Sequence, residues 1–431
     1  MAEIKPFRPL RYTHEAGDTK NNVCPPYDII SPSQRAELIN HSEYNLIRLE
    51  LPDGNDKYNN AGKLLKDWIK KGILRRDDSD GIFVYEEEFD VAGKHYVFDG
   101  IVCLCKTYDF SDKVVLPHEE TLSKAKQDRF DLMCATFCNF SSVYSLYIDE
   151  KKYVKSITDK KKSDSPLVCF TDSEGVTHRL WKITDKRDID ALTGFFADKQ
   201  LFIADGHHRF ETAGRFNRYC IEKGIKDADS GFVMMTLVNM DDDGLVIFPT
   251  HRLVYGMPVD ADALCEKAAE WFDISTHNDI NTIESGLRSH ADRHAFALYT
   301  GGGAFRLLVS KDTVGMVEAP GHSDAYRSLD VTVLHTLLLE GVLGIDKENM
   351  ANQKNLHYTR SISEAISEVD NGDASAAFIL NPTKIREIKD VALAGDKMPQ
   401  KSTYFYPKLI TGLVMNQIKE ILKDNLYSER T

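Results

Sequence analysis

The sequence predicts an α+β fold of mixed or antiparallel sheets, with hairpins and flanking helices. Amphipathic helical segments and short apolar, strand-like runs interleave along the 431 residues without a repeating βαβ unit. The turn sequences Ala92-Gly93 and Gly301-Gly302-Gly303 each separate two strand-like runs, which is typical of hairpins. Because the chain exceeds what a single core holds, we expect three regions. They are residues 1–160, residues 161–320 and a more helical 321–431 that completes the functional site.

The N-terminal region is expected to alternate helices with a hairpin. Ser31 is a suitable N-cap and Pro32 a suitable first residue for one helix, and residues 58–71 carry apolar side chains on one helical face. Strands are expected at 82–85, 96–105 and 143–148. The charged stretch Asp159–Pro166 predicts a surface loop or a domain boundary.

The central and C-terminal regions continue this alternation. The apolar run 201–204 predicts a short buried strand, followed by a turn at Asp205-Gly206 and then a helix. The acidic turn 241–244 predicts a hairpin between strands at 232–239 and 245–254. Two further elements are expected, a helix at 330–343 and a buried strand at 376–380.

Charge and composition limit the classes of partner. The formal net charge is −13, which disfavours a nucleic-acid binder because such a protein needs a basic stripe to replace counterions. No apolar run approaches the roughly 20 residues that cross a bilayer, so we expect a cytoplasmic protein without a membrane partner. The eight cysteines include no Cys-x-x-Cys pair, which predicts buried, reduced thiols.

The strand-to-helix corner around Asp205-Gly206 is the most informative stretch for function. It places helix N-terminal amides beside the triplet His207-His208-Arg209. Amides, helix dipole and cationic side chains together favour a bound phosphate or another anion. The alternative is that Asp205 only caps the helix and the basic triplet is solvated. We expect Arg209 to lie near the surface and to contribute little to the core.

Polar clusters elsewhere are further candidates for the same pocket. In chain order these are His118, Glu119, Lys124, Arg129, His251, Arg252, Lys401, Ser402, Thr403 and Lys408. Hydroxyl groups and cations suit phosphate oxygens, and the aromatic residues 404–406 flank the last cluster. The alternatives are helix capping by the acid before the helix, a solvated strand end at 251–252 and an exposed loop at 401–403.

A metal ion is considered for the corner as well. His207, His208 and His251 are zinc-ligating types, but adjacent histidines diverge and rarely bind one metal ion. Mg²⁺ held by Asp205 and by substrate phosphates is favoured over zinc, because Mg²⁺ takes few protein ligands. The sequence has neither a P-loop nor a Rossmann glycine motif.

Several stretches together resemble a bacterial and archaeal family of unknown function that is sometimes labelled ParB-related. The matching stretches are Lys5–Arg8, Pro25–Asp28, Pro117–Glu119, Ala204–Arg209, Pro249–Arg252 and Lys401–Lys408. Tyr27 and Asp28 lie in one of them and join the candidate site residues. Because the stretches span nearly the whole chain, the chain is identified as a member of this family.

The motif Asp205–Arg209 is more distantly similar to the phosphate-binding motif of the ParB/sulfiredoxin superfamily. The resemblance implies a ParB/sulfiredoxin-like core in the central region, and the form of the motif is closest to free serine kinases. Sulfiredoxin carries a catalytic cysteine in its motif, and none is found here. The DNA-binding helical domain of ParB proteins is not indicated either.

The resulting hypothesis is a phosphotransferase that acts on a small hydroxyl substrate, with free serine as the first candidate. The triplet at 207–209 and Gly206 would bind phosphate, with the cations and hydroxyls at 252 and 401–403 as further clamps. Asp205 would bind Mg²⁺ or accept the hydroxyl proton, and Glu119 is the alternative base. The donor would be ATP, ADP or pyrophosphate. A non-catalytic, nucleotide-binding regulator would use the same residues.

Overall fold

The computed structural model describes residues 1–119, 123–226 and 229–420, without the side chains of 123–125 and 351. The α+β class is confirmed. The chain forms two compact units that are not consecutive in sequence. The first unit is Met1–Pro117, Thr121–Leu245 and Pro407–Thr431, and the second is His118–Glu120 and Val246–Tyr406. The expected boundaries at 160 and 320 fall inside these units.

The elements are numbered in chain order. The strands are β1 (Ile4–Lys5), β2 (Leu10–Tyr12), β3 (Leu74–Arg76), β4 (Ile82–Val91), β5 (Lys94–Lys106), β6 (Val115–Leu116), β7 (Cys138–Asn139), β8 (Val143–Tyr147), β9 (Val168–Thr171), β10 (Thr177–Ile183), β11 (Leu201–Asp205), β12 (Phe232–Asn239), β13 (Val246–Phe248), β14 (His251–Val254), β15 (Phe272–His277), β16 (Ala295–Tyr299), β17 (Phe305–Ser310), β18 (Leu356–Thr359), β19 (Ala376–Leu380), β20 (Tyr404–Tyr406) and β21 (Asn416–Gln417).

The helices are α1 (Pro32–His41), α2 (Ile47–Glu50), α3 (Lys57–Lys70), α4 (Ser123–Thr136), α5 (Tyr153–Lys162), α6 (Lys186–Phe196), α7 (His207–Glu222), α8 (Ala261–Ala268), α9 (Ile280–Ser289), α10 (Asp324–Arg327), α11 (Asp330–Val333), α12 (Lys347–Ala351), α13 (Ile362–Asp370) and α14 (Ile385–Leu393). A π-helical segment, Leu334–Glu340, follows α11 directly. Within the described ranges no helix has the length and apolar character needed to cross a membrane.

The first unit is built on a mixed sheet of nine strands. Its order is β6-β11-β8-β12-β5-β4-β10-β9, and β1 pairs with β5. The predicted β4–β5 hairpin is confirmed, with Ala92 and Gly93 both at positive φ in the turn. Helix α7 buries Phe210 and Phe216 in the same apolar cluster as sheet residues such as Ile203. The sheet therefore fixes where strand β11 ends and α7 begins.

A second apolar cluster of the first unit gathers helices α2 and α3. Ser31 caps α1 with the reciprocal hydrogen bonds of a capping box, as its sequence predicts. Trp68 of α3 is buried among Leu46, Leu49 and Met415. Residue 415 comes from the C-terminal segment of the chain, so this segment is part of the core of the first unit.

The second unit is built on a six-stranded antiparallel sheet with the order β15-β17-β16-β19-β14-β18. The predicted β16–β17 hairpin is confirmed, and all three of its turn glycines have positive φ. Alternate residues of β16 enter two different apolar clusters, since Phe296 belongs to one and Tyr299 to the other. Both faces of the sheet are therefore covered.

Two sequence-based predictions are wrong. Strand β12 does not form a hairpin with the next strands, because it pairs with β5 and β8, whereas β13 pairs with β20. The acidic turn 241–244 instead precedes the point, after Leu245, where the chain passes from the first unit to the second. The expected loop at 159–166 begins as helix, because α5 buries Val154 and Ile157 and extends to Lys162.

A buried histidine in the first unit joins two strands electrostatically. His178 on β10 has Nδ1 2.8 Å from the hydroxyl of Tyr85 and Nε2 3.1 Å from the carboxylate of Asp172. The Tyr85 hydroxyl donates to Glu87, whose carboxylate lies 3.4 Å from His178 Nδ1. Burial lowers the pKa of His178, but the contacts with Asp172 and Glu87 raise it by more, to about 9.

We predict that His178 makes the stability of the protein fall as the pH rises. Since its pKa is raised from 6.5 to about 9 on folding, its stabilisation is fully present below pH 6.5 and is lost as the pH passes about 9. The effect is at most roughly 3 kcal/mol. Urea unfolding at pH values of about 6 and about 10 should show the gap between wild type and His178→Asn narrowing at the higher pH.

The control is His14→Asn, because the His14 side chain is 91% exposed. This variant should follow the wild-type pH dependence throughout. A gap between wild type and His178→Asn that stays constant with pH would show that His178 is not charged in the folded protein.

Candidate functional site

The corner at Asp205 has the local structure that its sequence predicts. Strand β11 ends at Asp205, Gly206 has a φ of 90°, and α7 begins at His207. The first hydrogen bond of the helix is donated by the Phe210 amide to the Gly206 carbonyl. The register of β11 against β8 shifts just before Asp205, and such bulges re-aim the side chain that follows. The corner thus places the Asp205 carboxylate directly before a helix N-terminus.

The side chain of Arg209 crosses this corner and contacts the carboxylate of Asp205. Its guanidinium donates to Asp205 and to the backbone carbonyl of Ser142, which directly precedes β8. A Cβ atom at Gly206 would lie 2.8 Å from Arg209 Nε, so the glycine permits this close approach. The Arg209 side chain is 11% exposed. The expectation that Arg209 lies near the surface with little structural role is therefore wrong.

Lys408 brings a second cation to the same carboxylate. Its Nζ donates to Asp205 Oδ1 over 2.8 Å, and its side chain is as buried as that of Arg209. Burial raises the pKa of Asp205, but Lys408 and Arg209 lower it by more, to well below the ordinary range. Asp205 thus stays ionised and is a weak proton acceptor. One carboxylate thus accepts hydrogen bonds from two cations at the corner.

Arg129 lies in the same unit and lines a small cavity with Arg209. The cavity has a volume of about 30 Å³. Arg129 donates to the backbone carbonyl of Glu50 over 2.7 Å and to the Asp128 carboxylate over 2.5 Å. Its guanidinium also lies 4.0 Å from the ring centre of Tyr27. Burial raises the pKa of Tyr27 to about 12, against the lowering effect of Arg129.

Glu50 is a site residue that sequence reasoning missed. It ends the short helix α2, lines the cavity with Arg129 and Arg209, and is 2% exposed. Ser141 donates a hydrogen bond to its carboxylate over 2.8 Å. Burial raises the pKa of Glu50 despite the nearby arginines. The available signal was an acid between the apolar residues Leu49 and Leu51.

The remaining candidates of the first unit surround the corner less tightly. Asp28 is exposed. Burial lowers the pKa of His208, and the negative charge of Asp28 offsets part of this lowering. His207 is buried at the first position of α7. Lys126 of α4 pairs with Glu211 of α7 over 2.7 Å. The side chain of Lys124 lies outside the described residues.

The second unit holds the other predicted cluster, and Arg252 is its centre. Arg252 is 1% exposed and directs its guanidinium at the backbone carbonyls of Thr250 and Lys401. Its Nε lies 3.4 Å from His335 Nε2. Burial lowers the pKa of Arg252 to about 10. The neighbouring His251 is fully buried, and burial followed by the Arg252 charge lowers its pKa to about 4.

The loop at 401–403 is held by further hydrogen bonds within the second unit. Lys401 is exposed with a φ of 56°, and the buried Ser402 hydroxyl donates to the Pro399 carbonyl. Thr403 Oγ1 lies 3.1 Å from His118 Nε2. Glu119 follows His118 in the same unit. The predicted residues thus divide into two groups. Those at 27–28, 124, 129, 205–209 and 408 belong to the first unit, and those at 118–119, 251–252 and 401–403 to the second.

The fit of a metal ion at Asp205 is poor. Oδ1 accepts from Lys408 and Oδ2 from Arg209, and two adjacent cations disfavour a further cation on this carboxylate. Across residues 1–119, 123–226 and 229–420, no group of three His, Cys, Asp or Glu side chains is placed to hold a metal ion. Binding of Mg²⁺ by Asp205 stays a prediction.

Comparison with known proteins shows the family. A model described as "Protein of unknown function (DUF1015)" matches residues 4–332, and the chain belongs to this family. No curated protein matches the chain.

Several solved structures are similar to this chain. A free serine kinase in complex with AMP is 14% identical, with a TM-score of 0.33 over 72% of this chain and 89% of that chain. A conserved hypothetical protein from Pyrococcus furiosus is 14% identical, with a TM-score of 0.33 over 68% and 87%. SbnI with C-terminal truncation, from Staphylococcus aureus, is 10% identical, with a TM-score of 0.36 over 73% and 87%. Similarities this low do not identify a ligand or an activity for this chain.

We predict that Gly206→Ala destabilises the first unit, whereas Gly214→Ala on the same helix does not. At position 206 an L-residue must adopt positive φ and displace the Arg209 guanidinium, a change of about 1–2 kcal/mol in the unfolding free energy. At position 214 the nearest atom to an added Cβ lies 3.9 Å away, and alanine favours the helix. Denaturant unfolding of both variants measures the difference. Equal stability of Gly206→Ala and wild type would contradict the packing of Arg209 on Gly206.

Proposed function

We propose that this member of the DUF1015 family is a phosphotransferase that binds the phosphate groups of a nucleotide or of pyrophosphate at the Asp205–Arg209 corner. The acceptor would be a small hydroxyl compound, and free serine is the first to test because of the motif's resemblance to free serine kinases. One observation carries the proposal. A single carboxylate, Asp205, holds two nearly buried cations, Arg209 and Lys408, at the N-terminus of a 16-residue helix.

The physical argument concerns charge and preorganisation. Arg209 and Lys408 place two positive charges where a phosphate group would bind, and the helix N-terminus adds its partial positive charge. Asp205 fixes both cations before the ligand arrives, so little reorganisation accompanies binding. Arg209 supplies a planar fork of donors that matches two phosphate oxygens. Cations placed in this way stabilise the charge of a phosphoryl group in transfer.

The proton acceptor in this proposal is Glu50, not Asp205. Two cations lower the pKa of Asp205 and make it a poor base, whereas burial raises the pKa of Glu50. Glu50 lines the same small cavity as Arg209 and Arg129. Asp205 then acts as a positioning residue for its two cations. Glu119, the alternative base of the sequence-based hypothesis, belongs to the second unit.

A non-catalytic, nucleotide-binding regulator is the second candidate function. The regulator is favoured because both oxygens of the Asp205 carboxylate already accept hydrogen bonds from cations. Such a carboxylate positions cations for ligand binding but is a poor proton acceptor. Both functions require anion binding at the corner, so formation of phosphorylated product separates them. A screen of ATP, ADP and pyrophosphate as donors against small hydroxyl compounds, with serine among them, is the corresponding experiment.

We predict that Arg209→Lys weakens pyrophosphate binding about 10- to 100-fold. The lysine keeps the charge but loses the fork, and losing a charge-assisted hydrogen bond corresponds to roughly 1.5–3 kcal/mol. Arg218→Lys on the same helix is the matched control, because the Arg218 side chain is 60% exposed. Titration calorimetry with pyrophosphate gives both affinities, and thermal melting checks the fold. If the two variants bind pyrophosphate equally well, the corner is not the anion site.

We predict that Glu50→Gln keeps pyrophosphate affinity within about threefold but lowers turnover at least about 100-fold. The amide preserves the shape and the Ser141 contact, yet it cannot accept a proton. Initial rates of product formation measure the loss, with the exposed Glu37→Gln on α1 as the control. Full turnover by Glu50→Gln would remove Glu50 as the base. Absence of product from wild type in every donor and acceptor combination would favour the regulator.

A further inference from the structure

A large cavity of the second unit lies beside Arg252, since His335, which contacts Arg252, lines it. Its volume is about 650 Å³, within the range of small-molecule sites. Helical residues around 326–336 form one wall, and the loop Gly395–Gln400 forms another. All the lining residues belong to the second unit. The cavity is therefore defined within one compact body.

The wall of the cavity includes the π-helical segment Leu334–Glu340, which contributes His335, Thr336 and Glu340. The Gly341 amide donates to the carbonyl of Thr336, five residues earlier. Wide turns of this kind are uncommon and are often found at functional sites. Here the π-helical turn places His335 on the cavity wall.

Two residues of this wall carry polar groups that bear on the choice of ligand. Thr332 is 3% exposed, and its buried hydroxyl has no hydrogen-bond partner among the described residues. His335 accepts at Nε2 from Arg252, which puts the proton of a neutral ring on Nδ1. Burial and then the Arg252 charge lower the pKa of His335, so the ring is neutral. The wall therefore offers one hydroxyl and one imidazole N–H.

Aromatic side chains form a flat surface on the cavity wall. His322 and Tyr326 are stacked, with ring centres 3.8 Å apart and planes inclined by 11°. Asp396 accepts from His322 Nδ1 over 3.0 Å and from the Ser323 backbone amide over 2.7 Å, which holds this pair in place. A preformed aromatic surface of this kind suits a planar ring, since stacking requires little side-chain ordering.

The charges of the cavity differ from those of the Asp205 corner. The charged lining residues are Glu318, Glu340, Lys347, Asp396 and Lys397. Three carboxylates against two ammonium groups disfavour a phosphate dianion. The two polar groups described above, the Thr332 hydroxyl and the neutral His335 ring, suit the polar edge of an uncharged ligand.

We infer that this cavity binds an uncharged heteroaromatic ring of nucleoside size. The ring would stack on the Tyr326–His322 pair, and its polar edge would pair with the Thr332 hydroxyl and the His335 N–H. A buried hydroxyl without a partner is destabilising, and such a ligand would satisfy it. This inference does not depend on the proposed phosphotransferase, because neither Arg209 nor Lys408 contributes to the cavity.

The test uses adenosine, guanosine, cytidine and uridine as probes, because nucleosides carry no phosphate for the corner. Titration calorimetry should show that wild type binds at least one of them. Thr332→Val should weaken that binding about three- to tenfold, which is the effect of one lost hydrogen bond, without lowering the melting temperature. Tyr326→Leu should weaken it as well, because the stacking surface is lost.

Arg218→Lys is the control, because the Arg218 side chain is 60% exposed on α7, and it should bind the nucleoside as wild type does. If pyrophosphate does not bind, the proposed function is wrong, but the result of the nucleoside titrations is not affected. The inference is overturned if wild type binds none of the four nucleosides, or if Thr332→Val and Tyr326→Leu both bind as tightly as wild type.

Discussion

Distant parts of the first unit are joined by one carboxylate, that of Asp205, which two cations share. Asp205 lies at the end of β11, and the two cations that it holds come from very different parts of the chain, four residues later at Arg209 and 203 residues later at Lys408. The C-terminal segment that carries Lys408 also pairs with the N-terminal segment at Leu10–Met415 and Cys24–Thr411. The motif, the helix that follows it and the chain terminus are therefore linked through charges that are largely out of water, where an unpaired partner would be strongly destabilising.

Environment gives the carboxylates of this unit different chemical roles. Asp205 and Asp128 each contact two cations, and those cations outweigh burial, so the pKa of Asp128 falls to about 2 and that of Asp205 falls as well. Glu50 has its closest side-chain hydrogen bond from a neutral hydroxyl, and burial outweighs the arginine charges. Pairs of acids whose pKa values are pushed apart are the usual way to separate a positioning group from a proton acceptor.

Local sequence signals predicted local structure well, and long-range pairing could not be read from them. Ser31, Ala92-Gly93 and Gly206 each determine a cap or turn through their own backbone preferences, and all three structures are present. The acidic turn after β12 has the same local chemistry as a hairpin turn, but the partner of β12 is decided by the sheet that buries it. Glu50 lies in no polar cluster of the sequence, since its neighbours at the cavity come from α4, from α7 and from residues 138–141.

Two of the arginines that the sequence indicated show two ways of keeping a guanidinium out of water. Arg209 is neutralised by a carboxylate, so it can hold its charge with a raised pKa. Arg252 has no carboxylate partner in the described part of the chain, and carbonyls of Thr250 and Lys401 accept its hydrogen bonds instead. Because partial charges compensate burial less well than a full charge, its pKa falls to about 10. Arg252 thereby joins the start of β14 to the loop at 401. By donating to Nε2 of His335, it also keeps the proton of that neutral ring on Nδ1, and this is how Arg252 acts on the cavity of the second unit.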